Sequence, residues 1–190
     1  MGEGSYMAFP RGAVYGEQWI SIGAGALIGP HVSVAVGLPG ESFEHDHPPI
    51  VTIGERCMIG RGSSIVGRCG ISIEAEVTTG PNVYVTDHNH VYDDIDVPIS
   101  RQWLNEQRVR VGYGSWLGAG VVVLAGSDIG RNVVVAANSV VRGTIPDNSV
   151  VAGAPAKVVR QHVDGAWEPP LRHAPVVAPE GWSDGYGRNG

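Results

Sequence analysis

The chain has 190 residues, of which 43% are hydrophobic and 17% are charged, and its formal net charge is −6. This acidic balance argues against a nucleic-acid-binding protein, which needs a basic face, and the length suits one domain with one continuous core. No stretch approaches 18 apolar residues, so no membrane span is predicted. We find no leader pattern, and the two cysteines are too few for a secreted disulfide framework, so we expect a cytoplasmic protein.

Glycine is abundant, with 28 residues, and most apolar residues are the β-branched Val and Ile, which favour strands. After an N-terminal segment, residues 1–19, aliphatic residues recur at intervals of six as far as residue 160. A six-residue period matches neither a helix nor a simple strand, and indicates a short strand followed by a turn. Three such units close a triangular coil, and successive coils stack about 4.8 Å apart. The ladders run Ile22, Ile28, Val34; Ile53, Ile59, Ile65, Ile71; Ile73, Thr79, Val85; and Val111, Leu117, Val123, Ile129, Val135, Val141.

Two interruptions break the ladders between residues 20 and 160. Residues 37–50 contain prolines and turn formers, so we expect them to leave the coil as a loop. Residues 86–108 are longer and more polar, and a loop that leaves a rigid scaffold is a common place for function. Residues 161–190 depart from the repeat again, and we expect a C-terminal extension rather than a second domain.

The second interruption begins with the motif Thr-Asp-His-Asn-His, which contains His88 and His90. Residues two apart in an extended segment face the same side, so either histidine could point into a groove beside the coils. A neutral imidazole is suited to accept a proton near neutral pH. Its second ring nitrogen needs a partner that holds the correct tautomer, and Asp87, Asp93 and Asp94 are the nearby candidates.

A cysteine nucleophile is the mechanistic rival of a histidine base. Cys57 and Cys69 stand, with Ser63 between them, at the small inward position of successive repeats. We therefore expect both cysteines to be packed and unreactive.

The ladders of residues 20–160 resemble those of the left-handed β-helix acyltransferases with hexapeptide repeats. The resemblance implies an all-β fold, a left-handed parallel β-helix with triangular coils, an extruded loop and a non-repeat C-terminal tail. It also implies acetyl-CoA as the acyl donor, no required metal, and a homotrimer with the CoA groove between neighbouring subunits. The left-handed winding comes from the resemblance alone, because periodicity does not reveal handedness and crossovers are generally right-handed.

The second interruption is similar to the extended loop of the galactoside, maltose and xenobiotic acetyltransferases. Aligning Pro81-Asn82-Val83 with the family's tripeptide makes His90 the general base, with His88 as the alternative. The family's tryptophan then corresponds to Trp116, which would border the acetyl end of the site. The residues expected around the acyl and acceptor pocket, besides Trp116, are Asp87, Asn89 and Tyr92.

The end of the repeat, residues 147–160, resembles the terminal coil of the same family, Val-Xaa-Ala-Gly-Xaa-Pro-Ala-Lys/Arg-Val-Ile/Val-Arg. That resemblance implies that Lys157 and Arg160 meet the CoA phosphates. Small or polar residues at coil turns would flank the same groove and let the cofactor approach the backbone. These residues are Gly118, Ala119, Ala137 and Asn138, and the backbone N–H of Gly118 or Ala119 would stabilise the oxyanion.

We therefore expect direct transfer of an acetyl group to a hydroxyl of a sugar or sugar-like acceptor. N-acetylation of an amino sugar and a non-catalytic β-helix scaffold are the alternatives. A γ-class carbonic anhydrase uses the same solenoid but needs three histidines around one zinc ion. The ladder from Val111 to Val141 contains no histidine, which disfavours that reading.

Overall fold

A computed structural model of the chain describes residues 1–37, 49–174 and 176–181. In these ranges the fold is a left-handed parallel β-helix of stacked triangular coils, as predicted. The helical content is limited to two single 3-10 turns, Glu17–Trp19 and Ile99–Arg101. Neither turn is long or apolar enough to cross a membrane.

The strands are short, as a six-residue period requires. The first eight are β1 Tyr6–Met7, β2 Val14–Tyr15, β3 Ile20–Ile22, β4 Leu27–Ile28, β5 Ser33–Val36, β6 Val51–Ile53, β7 Met58–Ile59 and β8 Ser64–Gly67. The next eight are β9 Ile71–Ile73, β10 Thr78–Thr79, β11 Tyr84–Thr86, β12 His88–His90, β13 Leu104–Glu106, β14 Val109–Val111, β15 Trp116–Leu117 and β16 Val122–Val123. The last seven are β17 Asp128–Ile129, β18 Val134–Val135, β19 Val140–Val141, β20 Thr144–Ile145, β21 Ser149–Gly153, β22 Ala156–Val163 and β23 Ala166–Glu168.

The coils form three flat faces, each a sheet of stacked strands. Face A has the order β1-β4-β7-β10-β15-β18-β21-β22-β23, face B the order β19-β16-β11-β8-β5-β2, and face C the order β20-β17-β14-β9-β6-β3. From β3 onward each coil passes through face C, face A and face B in turn. We name the edges between faces the C–A, A–B and B–C corners.

The aliphatic ladders form the core inside the triangle. Parallel pairing places equivalent residues in register, so that Val111 lies between Ile73 and Ile129. All three side chains are at most 1% exposed. Each coil covers the apolar residues of its neighbours, and the coils are therefore stable only as a stack.

The strands begin earlier than the expected start of the repeat at residue 20. β1 pairs in parallel with β4, and β2 pairs in parallel with β5. Residues in the segment 1–19 thus supply strands to faces A and B. The six-residue period is obscured there by Pro10 and Arg11.

Both interruptions leave from the B–C corner. Of the first, 37–50, residues 38–48 lie outside the described residues. The second, 86–108, forms an antiparallel hairpin in which β12 pairs with β13. Beyond the last coil the chain turns back, and β22 and β23 extend face A as antiparallel strands.

Candidate active site

Asp87 is the best-held polar side chain at the B–C corner. It is fully buried, and its carboxylate accepts hydrogen bonds from three consecutive backbone N–H groups. Arg68 donates at 2.9 Å to each oxygen, Cys69 at 2.8 Å and Gly70 at 2.7 Å. These residues form the tight turn of the preceding coil, so coil stacking brings the turn against the start of the hairpin. The carboxylate is therefore held in a single orientation.

The charge state of Asp87 follows from two opposing effects. Burial by itself raises the pKa of the carboxyl group, because it removes water from the ionised form. Hydrogen bonds from Gly70, His88, Arg68 and Cys69 outweigh the burial, and the net pKa lies below its ordinary value. Asp87 is thus a buried, ionised acceptor at neutral pH.

His88 lies beside this carboxylate, with Nδ1 3.0 Å from Oδ1 of Asp87. Thr86 fixes the backbone next to it, since its hydroxyl donates to the carbonyl of His88 at 3.2 Å. An ionised carboxylate can only accept, so the contact assigns the proton of Nδ1 to His88 as the donor, and in the neutral ring this tautomer leaves the lone pair on Nε2. The side chain is 15% exposed. A carboxylate at Nδ1 is also the arrangement that orients the histidine in other histidine bases.

His90 has no comparable support. It lies two residues further along β12, opposite Leu104, and is exposed. Among the described residues nothing forms a hydrogen bond with its ring. The family alignment favours His90 as the base, whereas the local geometry favours His88.

The hairpin that carries the histidines is fastened by Arg68. Its Nε donates to Oε1 of Glu106 at 2.8 Å, and its side chain is only 5% exposed. The guanidinium also lies 5.6 Å from the ring centre of Trp103, which suits a cation–π contact. Glu106 is paired with His88 across the hairpin. Our sequence reasoning missed Arg68 and Glu106, although an arginine among small and apolar repeat residues was a usable signal.

Neither cysteine is suited to nucleophilic catalysis. Burial raises the pKa of Cys57 to about 11 and that of Cys69 to about 12, and the nearby charge of Asp87 adds to the shift of Cys69. Both thiols are therefore protonated at neutral pH, and thiols react as thiolates. Cys57 packs in the core as expected. Cys69 does not: it is half-buried in the turn at the B–C corner, because the coil bends between Gly67 and Gly70 before the next inward position.

The residues expected to bind the acyl donor lie elsewhere, in a strip along face A and the A–B corner. Trp116 points outward from β15 and is 51% exposed. Lys157 and Arg160 lie on β22, at the C-terminal end of the same sheet, and Nε of Arg160 is buried without a partner among the described residues. The corner residues of this donor strip are Gly118, Ala119, Ala137 and Asn138.

The corner residues of the donor strip differ in whether their backbone N–H group already donates a hydrogen bond. The N–H of Gly118 donates to Val135 at 2.8 Å, and that of Asn138 donates to Ala119 at 2.8 Å. The N–H groups of Ala119 and Ala137 have no acceptor among the described residues. Of the two expected oxyanion donors, Ala119 is therefore the one available.

One chain thus places the predicted site residues in two groups. Asp87 and His88 lie at the B–C corner, whereas the donor strip follows face A and the A–B corner. Asn89 and Tyr92 belong to the hairpin and are exposed. In the described parts of the chain, no three His, Cys, Asp or Glu side chains are grouped so that they could hold a metal ion.

Family comparisons agree with this architecture. Residues 108–143 match the family described as bacterial transferase hexapeptide (six repeats), and residues 50–87 match the hexapeptide repeat of succinyl-transferase. The crystal structure of a variant of AntD, an N-acyltransferase from Bacillus cereus, in complex with dTDP and coenzyme A, has a TM-score of 0.70. It covers 86% of this chain and 83% of that chain at 18% identity, so it shows the shared fold alone.

Curated relatives add sequence similarity. A probable acetyltransferase of Mycobacterium tuberculosis is 38% identical over 122 residues, which are 64% of this chain and 40% of that protein. A galactoside O-acetyltransferase of Lactococcus lactis is 37% identical over 99 residues, which are 52% of this chain and 46% of that protein. The chain spans about half the length of the relatives it matches. Its hexapeptide ladders, its coil geometry and these matches make the chain similar to the hexapeptide-repeat acyltransferases.

Proposed function

We propose that the protein transfers an acetyl group from acetyl-CoA to a hydroxyl of a sugar or sugar-like acceptor, with His88 as the general base. The observation that carries this proposal is the buried, ionised Asp87, which orients His88 through Nδ1 at 3.0 Å. The proposal departs from His90, which the family alignment favours, because among the described residues His88, and not His90, has a partner for its ring.

The reaction needs no covalent enzyme intermediate. Nε2 of His88 takes the proton of the acceptor hydroxyl as the oxygen attacks the thioester carbonyl of acetyl-CoA. The tetrahedral intermediate carries a negative oxygen, which the N–H of Ala119 would stabilise. Collapse of the intermediate breaks the C–S bond, and the CoA thiolate takes the proton from the imidazolium. Asp87 stays ionised throughout and stabilises the imidazolium that forms in between.

The donor strip accounts for the binding of CoA. Lys157 and Arg160 supply positive charge for its phosphates, and Trp116 supplies an exposed aromatic surface beside the pantetheine arm. The small residues at the A–B corner let that arm approach the backbone. Proteins of similar structure bind coenzyme A, which supports a CoA donor here.

The separation of His88 from the donor strip supports a homotrimer. Stacked coils are rigid, so neither corner can move to the other within one chain. A parallel neighbour can place its A–B corner beside the B–C corner of the first, and threefold closure repeats this arrangement three times. We propose that each active site is shared by two subunits. The acyl-CoA donor and the free cysteines favour the cytoplasm as its location.

N-acylation of an amino sugar is the second candidate. It is favoured by the similar structures of AntD, an N-acyltransferase, and of the perosamine N-acetyltransferase of Caulobacter crescentus. The same base would serve both acceptors, since each loses a proton from the attacking atom. A neutral hexose tested beside its 2-amino analogue distinguishes the two.

The experiment is an acceptor panel with acetyl-CoA, in which release of free CoA thiol is measured. His88→Ala should lower turnover by about 10²–10⁴-fold with little change in the Kd for acetyl-CoA. His90→Ala is the matched control on the same strand and should retain most activity. The reverse pattern would make His90 the base, and absence of acetyl-CoA binding by calorimetry would leave a scaffold role.

A further inference from the structure

A groove of about 380 Å³ lies on face C beside the B–C corner. It is separate from the donor strip, which follows face A and the A–B corner. Its lining includes Pro49 and Ile50 on one side, Thr52 and Ser72 on its floor, and Arg108 at the end of the hairpin.

Arg108 is the uncommitted positive charge of this groove. The other arginine in the lining, Arg110, is paired with Glu74 at 2.9 Å and with Asp128 at 2.7 Å. Arg108 is exposed and has no hydrogen bond or ion pair with any of the described residues. Its side chain lies over Gly70, so the guanidinium is available to an anion that enters the groove.

Face C is also the polar face of the prism. Its central outward positions, in register from one coil to the next, are all polar: Ser21, Thr52, Ser72, Arg110, Asp128 and Thr144. The equivalent column of face A contains Tyr6, Leu27, Met58 and Trp116. The hydroxyls of Thr52 and Ser72 have no hydrogen-bond partner among the described residues. The groove thus combines free hydroxyls, a free cation and a small apolar wall, a set that suits a sugar ring with an anionic substituent.

Two hydrogen bonds in series connect a residue of the groove lining to the proposed base. Gly70 lines the groove, and its N–H donates to Oδ2 of Asp87 at 2.7 Å. Asp87 holds His88 at 3.0 Å. Arg108 follows Gln107, whose N–H donates to the carbonyl of Asp87 at 2.8 Å.

We infer that this groove is the acceptor site, and that Arg108 binds a phosphate or carboxylate carried by a sugar acceptor. The inference rests on the proposed function for the identity of the reaction. It adds the class of acceptor, an anionic sugar, and the residue that selects it. The phosphate and the carboxylate are recognised in the same way, because each has oxygen atoms that can accept two hydrogen bonds from a guanidinium.

The test compares glucose 1-phosphate, glucuronic acid and methyl glucoside as acceptors for wild type and Arg108→Gln. The anionic sugars should be the better acceptors of wild type, and Arg108→Gln should lower kcat/KM for them by about 10- to 100-fold, as expected for a lost charge-assisted hydrogen bond. The kcat/KM for methyl glucoside should stay the same.

Arg172→Gln removes an equal charge from the C-terminal extension and is the control. A preference for glucose 1-phosphate over glucuronic acid, or the reverse, shows whether the anion that Arg108 binds is a phosphate or a carboxylate. Equal losses for all three acceptors, or a wild type that prefers the neutral sugar, would overturn the inference.

A second pair of variants tests the groove itself. Ser72→Val fills the floor, whereas Ser21→Val makes the same change on the same face two strands away, outside the lining. Binding of glucose 1-phosphate without acetyl-CoA, followed by calorimetry, should weaken at least tenfold in Ser72→Val and Arg108→Gln and stay unchanged in Ser21→Val. Binding with this pattern but no transfer would overturn the proposed function and leave the groove assignment intact. If transfer to glucose 1-phosphate is unaffected in both groove variants, the groove assignment is wrong and the proposed function stands.

Discussion

At the scale of the residue, Asp87 links stability to chemistry. Its carboxylate completes the hydrogen bonds of three turn N–H groups and at the same time orients His88. A buried carboxylate in this position is stabilising only while it is ionised. The same residue thus stabilises the corner of the solenoid and holds the imidazole of His88 in one orientation.

Asp87→Asn should therefore affect both properties. The amide cannot accept all four hydrogen bonds, and we expect the free energy of unfolding to fall by about 2–3 kcal/mol at pH 7. Turnover should fall as well, since Nδ1–H loses its anionic acceptor. Denaturant unfolding and steady-state kinetics measure the two effects, with Asp93→Asn in the hairpin as the control.

The stability lost in Asp87→Asn should depend on pH. Because the pKa of Asp87 is lowered by folding, its contribution is fully present above the pKa of the unfolded chain, about 3.9, and is lost as pH falls through the lower folded value. The difference between wild type and Asp87→Asn should thus be constant from pH 7 to about pH 5 and shrink below about pH 4. A difference that grows on acidification would contradict an ionised Asp87.

At the scale of the element, the hairpin depends on a few fixed contacts at its base. Arg68 belongs to the coil below, and its pairing with Glu106 ties β13 to that coil. The tip is more exposed, since its apolar side chains Tyr92, Ile95 and Ile99 are 53–94% exposed. The strand that carries His88 is therefore tied to the scaffold at the base of the hairpin.

Glu106→Ala should loosen the hairpin without unfolding the solenoid. Glu106 is about one third exposed, and we expect a loss of only about 1 kcal/mol of stability. Turnover should fall by more than acetyl-CoA affinity, because His88 shares the hairpin whereas the donor strip does not. Hydrogen exchange of residues 88–106 locates the change, and Asp96→Ala at the tip should leave the exchange at the hairpin base unaltered.

At the scale of the whole molecule, the stack of coils supplies the stability, and we propose that a neighbouring subunit completes the site. Inward and outward positions of one strand should therefore respond differently to the same change. Ile65→Ala, at a side chain that is 2% exposed, should cost about 2–5 kcal/mol through the cavity it leaves. Ser64→Ala, on the outward side of β8, should change the free energy of unfolding by no more than about 0.5 kcal/mol. Equal effects would contradict the assigned register.

A shared active site predicts complementation between inactive subunits. A trimer of His88→Ala and a trimer with Lys157→Glu and Arg160→Glu should each be nearly inactive. After subunit exchange in an equal mixture, about one quarter of the sites should combine an intact histidine with an intact donor strip. Recovered thiol release, with exchange verified by mass, supports the arrangement. No recovery in exchanged trimers would place both groups in one chain.

The sequence by itself determined the solenoid. The ladders predict the coils, because each stacked strand needs an apolar residue at the same inward position. The interruption at residues 86–108 likewise located the hairpin, and the motif there held both histidine candidates. The strands within residues 1–19 were not predicted, because Pro10 and Arg11 mask the six-residue period.

Only the tertiary structure decided which residues meet. Asp87 and the turn at Arg68–Gly70 are separated by a full coil in sequence, and stacking alone brings the carboxylate to the three N–H groups that hold it. The same stacking distinguishes His88 from His90, which look equivalent in an extended motif, and separates both from the donor strip. A repeat pattern specifies which side of a strand faces inward. Which polar residues of neighbouring coils meet depends on where the chain turns at each corner. The position of each turn is a property of the folded stack.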